Sequence, residues 1–308
     1  MTPRPSLLAM MVIAMLPAAL PTAIVRGAEP SDDERQALAE LAAEIDGAVV
    51  YTRDKRVRRV RIGEWKPEDL GAGEYARWSP DGRHLAVYHD GRVFVMQADG
   101  SERRALAKGD HADGCPIEFH ANNRQVIYWK KESGFHVVDI ETGESETLDL
   151  PGVYSGEPGI SADGKRLAAR WGNRLYAIDL EAGTHDQYAR GCSAGVSPDG
   201  TRLMNNVGSH RQLEIHQWDD SDRMTLDTRD ARPDRQWDNH HWSNHDDYLM
   251  AQGEGARAEA YVVRISANRP TRVTWEGDVL APDLHVEQVH EHDDDDELAS
   301  ASSKPREQ

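Results

Sequence analysis

Arg77, Glu118, Glu157, Asn239, His241, Asp283 and His285 are the residues whose types and spacing could build one site. They fall at alternate positions beside large apolar residues: Trp78, Phe119, Ile160, Trp242 and the late pair Leu284 and Val286. In a strand, alternate side chains share a face, so these seven are expected to converge if their strands surround a common axis. A guanidinium, carboxylates, an amide and imidazoles can bind a ligand through charge-assisted hydrogen bonds. His241 and His285, with a carboxylate, can also hold a divalent metal ion such as zinc, manganese or iron. The same set also reads as a self-satisfied ion-pair and water network filling an interior. Neither reading makes a residue catalytic, and no catalytic residue is assigned.

The densest cluster of potential ligands runs from Trp237 to Asp247 and contains His240, His241 and His245. His240 and His241 point to opposite faces of a strand, so they cannot both ligate one ion without a twist or bulge. His245 occupies a position that holds a turn Asp in sister segments, and it reads as a turn residue. Cys115 and Cys192 each lie four residues before an apolar anchor, in repeats separated by one other. That separation exceeds the roughly 7 Å Cα limit for a bridge, so two thiols are expected near one channel mouth.

The elements that position these residues are repeated. Trp78-Ser79-Pro80-Asp81-Gly82 recurs as Phe119-His120-Ala121-Asn122-Asn123, Ile160-Ser161-Ala162-Asp163-Gly164, Val196-Ser197-Pro198-Asp199-Gly200 and Trp242-Ser243-Asn244-His245-Asp246. The interval is roughly 40 residues, the length of a propeller blade. Each copy reads as a short strand ending in an apolar anchor, a tight turn and three more strands. Pro presets φ in the turn, Asp bonds the downstream backbone and Gly accepts positive φ.

This anchor resembles the TolB-type propeller repeat, a relative of the WD-repeat blade, from about Gly47 to Gln288. The resemblance implies an all-β, six-bladed β-propeller of four-stranded blades, closed by pairing of N- and C-terminal strands. It implies a non-catalytic binding or scaffolding module for a protein partner, glycan or small ligand at the channel mouth, as a monomer or a subunit of an envelope complex. No cofactor is expected on that reading. A weaker resemblance is to the oligogalacturonate lyases, through His240-His241-Trp242-Ser243 and the late run Gln288-Val289-His290-Glu291-His292. It implies instead a divalent-metal-dependent polysaccharide lyase or hydrolase, its ion on the axis near His241 and His285. The sixth anchor departs from both patterns by reading Ser-Asn-His-Asp.

The ends of the chain divide by composition. Arg4 precedes an apolar run from Leu7 to Leu20, too short to span a bilayer and suited to a secretory signal peptide over residues 1–28. This places the mature protein in the periplasm or outside the cell, with no integral membrane segment. Ser31 and Glu34 form a capping box that opens a helix in 29–45, with Leu38, Leu41, Ala42 and Ile45 on one face. The propeller is expected over 46–288, and 289–308 read as an acidic disordered tail.

The 308 residues carry 54 acidic and 36 basic side chains, for a net charge of -18. That charge repels nucleic acid, and a sequence 38% hydrophobic can build a core without being membrane-embedded. Phosphate-loop, Gly-x-Gly-x-x-Gly dinucleotide and Cys-x-x-Cys motifs do not occur.

Overall fold

The computed structural model describes residues 28–110, 117–150, 152, 154, 156–227, 236–255 and 257–290; of Glu157 it describes the backbone. The expected signal peptide, apart from Ala28, and the acidic tail beyond His290 lie outside these residues, as does Cys115. Among the described residues no helix is long and apolar enough to cross a membrane.

Six four-stranded antiparallel sheets make a six-bladed propeller. The inner strands of blades 2 to 6 are Tyr75–Trp78, Ile117–Phe119, Gly156–Ile160, Gly195–Val196 and Trp237–Trp242. Blade 1 takes its inner strand from the far end of the chain: Leu280–Val289 pairs antiparallel with Ile45–Arg53. This is the expected closure, which removes the exposed edges an open sheet would leave. The closing strand starts earlier than the Leu284 to Gln288 reading, at Leu280, and its pairing is interrupted by register shifts next to Gly47 and at Ala281. A Pro282 in the run hid those first residues from a period-2 reading.

The repeated turn has a buried lock. Ser79, Ser161 and Ser197 are fully buried. Ser79 Oγ donates to Asp81 Oδ1 at 2.7 Å and accepts from the His84 amide at 2.9 Å. Ser161 repeats both bonds, with Asp163 Oδ1 at 2.6 Å and the Arg166 amide at 3.0 Å. The hydroxyl is thus both donor and acceptor inside the turn, which a buried polar group requires. In blade 3 Asn123 takes the glycine's place at φ 58°, a conformation Asn tolerates. In blade 6 His245 does serve the turn: its Nδ1 accepts from the Asp247 amide at 3.2 Å.

Hydrophobic clusters fill the space between neighbouring blades, as in the group of Ala48, Val50, Ala76, Trp78, Leu85 and Val87. The helix spans Asp32–Glu44 and carries the expected capping box, Ser31 N donating to Glu34 Oε2 at 2.8 Å and Glu34 N to Ser31 Oγ at 3.3 Å. Leu38 and Leu41 bury against Val60, Val273 and Trp275, and Arg272 pairs with Glu34 at 3.0 Å. The helix is therefore docked on the ring by both an apolar stripe and an ion pair.

Candidate functional site

Residues of all six inner strands line one cavity of about 240 Å³. The anchors Trp78, Phe119, Ile160, Val196 and Trp242 border it, with Leu284 supplying the sixth position. The anchors pack between blades as expected, and they also line the cavity. Pro80, Ala121, Ala162, Pro198 and Asn244, the third residue of each anchor segment, form its rim. Adjacent turns are tied around this rim. Asp81 N donates to Asn123 Oδ1 at 2.8 Å, Ala162 N to Pro198 O at 2.7 Å and Asp199 N to Asp246 Oδ1 at 2.9 Å. Asn244 makes a reciprocal pair with the Val286 backbone, at 2.7 and 2.9 Å.

The strands bring Glu118, His241 and Asp283 together at the cavity's inner wall, with Arg77 against Glu118. His241 Nε2 lies 2.6 Å from Glu118 Oε2, and its Nδ1 lies 2.9 Å from Asp283 Oδ1. Arg77 Nε is 3.7 Å from the same Glu118 oxygen, and Arg77 Nη1 donates to Ala281 O at 3.2 Å. The remaining carboxylate oxygens are held by backbone: Asp283 Oδ2 accepts from Trp78 N at 2.7 Å and Glu118 Oε1 from Phe119 N at 3.0 Å. Two cations and two anions from four blades thus form one chain of contacts.

Burial works to lower the His241 pKa, but the Glu118 and Asp283 carboxylates outweigh it against the opposing Arg77 charge and raise it to about 9. Burial would raise the Asp283 carboxyl, yet His241 and Arg77 hold it below its ordinary value. At neutral pH the pair is imidazolium and carboxylate.

The other expected residues are placed differently. His285 borders the cavity and packs on Trp78 with ring centroids 5.8 Å apart, and burial lowers its pKa. Asn239 stands outside the ion-pair chain, in a bulge of its strand, where its Nδ2 donates to Gln252 Oε1 at 2.9 Å. Glu157 belongs to the inner strand of blade 4, and its side chain lies outside the described residues. Both ring nitrogens of His241 face carboxylates, so it sits in an ion-pair chain. Among the described residues, the clusters with metal-ligand geometry are Cys192, His210 and Asp238, and Glu74, His89 and Asp90. Sequence reading missed the rim residues, although their fixed offset from each anchor was a usable signal.

No protein-family profile and no curated protein matches the chain. Solved structures do. The TolB of Acinetobacter baumannii superposes with a TM-score of 0.59 at 16% identity, covering 77% of this chain and 66% of that one. The fold is that of a TolB-type propeller. A putative TolB from Agrobacterium tumefaciens gives a TM-score of 0.54 at 15% identity, over 80% of this chain and 99% of that one. A chain from the nidogen/laminin complex gives 0.60 at 7% identity, over 79% and 98%. The chain thus spans about two thirds of the length of the Acinetobacter TolB and nearly all of the other two.

Proposed function

We propose that this TolB-like propeller is an exported, non-catalytic binding module that seats a protein partner at the axial cavity. The carrying observation is the division of labour within that cavity. Its rim and walls are largely apolar, while Glu118, His241 and Asp283 on its wall are paired with one another and with Arg77 behind them. An apolar side chain or loop tip of a partner gains by burial there, at about 25 cal/mol per Å², without having to neutralise a buried charge. His241, with a pKa raised to about 9, is a fixed hydrogen-bonded cation at neutral pH and not a proton acceptor, which favours binding over acid–base chemistry. Similarly folded chains carry the name TolB or come from a nidogen/laminin complex, and the latter is an assembly between proteins. On this reading residues 1–28 direct export to the periplasm or beyond, and Arg77, Glu118, Glu157, His241, Asp283 and His285 shape the seat, with Asn239 bracing the strand beside it.

Affinity capture from solubilised cell envelopes tests the proposal. A partner is expected with the parent protein, lost on Ala162→Trp at the exposed rim and retained on Trp171→Ala at an exposed residue that does not line the cavity. Equal recovery with both variants, or no protein recovered with the parent, overturns it.

A further inference from the structure

A second set of chemistry-bearing side chains gathers between blades 5 and 6, at the entry ends of the inner strands; the axial cavity lies at their exit ends. Cys192 carries a thiol whose Sγ is 2.9 Å from His210 Nε2. Ligand atoms of Cys192, His210 and Asp238 all lie within 4.8 Å of one another, in half-buried positions. Glu254 Oε1 bonds to His210 Nδ1. A carboxylate there keeps the proton on Nδ1 and leaves the Nε2 lone pair directed at the thiol. Asp238 Oδ1 is oriented in turn by Ser193 Oγ at 3.0 Å and Asn206 Nδ2 at 3.3 Å.

The backbone is bent to make this meeting. Gly208, Ser209 and His210 have φ of 59°, 55° and 63°, a left-handed run that Ser and His adopt only at a cost. It is clamped by Trp237 N on His210 O at 2.8 Å and Gln236 Nε2 on Ser209 O at 3.0 Å. A bulge between Asp238 and His241 changes the register of the facing strand at the same place. Left-handed non-glycine residues and bulges concentrate where side chains are aimed for function.

We propose that Cys192, His210 and Asp238 bind a divalent transition metal of the zinc class, with Glu254 as the positioning carboxylate. Thiolate, imidazole and carboxylate are the zinc donor set, and a histidine backed by a carboxylate is its usual outer partner. Three protein ligands leave a fourth position for water or a substrate atom. Two carboxylates stand at the cluster, Asp238 beside the sulfur and Glu254 behind the imidazole, and their negative charge favours a bound cation. Metal binding breaks the S–H bond, forms the metal–sulfur bond and releases the thiol proton to solvent.

Cobalt(II) titration of the full chain, reduced with a phosphine, tests the assignment. One equivalent is expected to bind with a thiolate-to-cobalt charge-transfer band that zinc displaces. Cys192→Ser removes the band, whereas Cys115→Ser and His292→Ala leave the titration unchanged. Asp238→Asn and His210→Gln each weaken binding at least about tenfold, and Glu254→Gln weakens it about 10- to 100-fold while keeping the band at saturation. If Cys192→Ser fails to fold, the isosteric Asp238→Asn decides. Absence of the band at saturating cobalt, its survival in Cys192→Ser, undiminished affinity in Asp238→Asn, or a Cys115–Cys192 bridge in the unreduced protein overturns the proposal.

Discussion

Asp283, on the strand that closes the ring, pairs with His241 Nδ1 of blade 6 at 2.9 Å and accepts from the Trp78 amide of blade 2 at 2.7 Å. One carboxylate therefore joins three consecutive blades around the axis, and ring closure and site assembly are the same event.

Replacing Asp283 by Asn leaves the buried imidazolium with one carboxylate fewer. Breaking a buried pair from one side costs about 3 kcal/mol or more, so the urea midpoint is expected to fall sharply. Combining it with His241→Gln is expected to cost much less than the sum of the single losses, since neither charge then lacks its partner.

His241 makes stability depend on pH in a defined direction. Its pKa rises from 6.5 unfolded to about 9 folded, so its contribution is complete below 6.5 and is lost as pH rises through 9. The groups facing it are Glu118, Asp283 and Arg77. Urea unfolding across that window is expected to show a loss of at most roughly 3 kcal/mol, absent in His241→Gln. Asp283 acts oppositely: held below 3.8 when folded, its contribution is lost as pH falls through its folded pKa.

Two turn glycines are expected to respond unequally to alanine. At Gly143, φ is 73° and a Cβ meets nothing within 4 Å, leaving only the left-handed penalty of about 1 kcal/mol. At Gly82, φ is 69° and a Cβ comes within 2.3 Å of His285 Nε2, against a ring packed on Trp78. Gly82→Ala is expected to lower the melting temperature further, and His285→Ala in the same chain to recover part of the difference.

Gly47 sits where the first strand meets the last, and a Cβ there lies 2.4 Å from the His285 carbonyl oxygen. Since that neighbour is backbone, Gly47→Ala is expected to weaken closure by more than 1 kcal/mol. Faster hydrogen exchange at amides of 280–289 than in the inner strand of blade 2 is the measurement that checks it.

The sequence by itself determined the repeat, the blade count, the closure and the capped helix, because each rests on local rules: period-2 alternation, turn chemistry at a fixed offset and a Ser31–Glu34 box. It also placed Arg77, Glu118, His241 and Asp283 on one axis, since symmetry carries equivalent strand positions to a common centre. It could not give the exception at Asn239, whose bulge depends on how one strand pairs with its neighbour. Nor could it join Cys192 to His210, Asp238 and Glu254, which lie 18, 46 and 62 positions further on. No periodic pattern encodes that cluster. A left-handed turn and an irregular register bring it together, and both are fixed by tertiary packing between blades 5 and 6 rather than by any local preference of the chain.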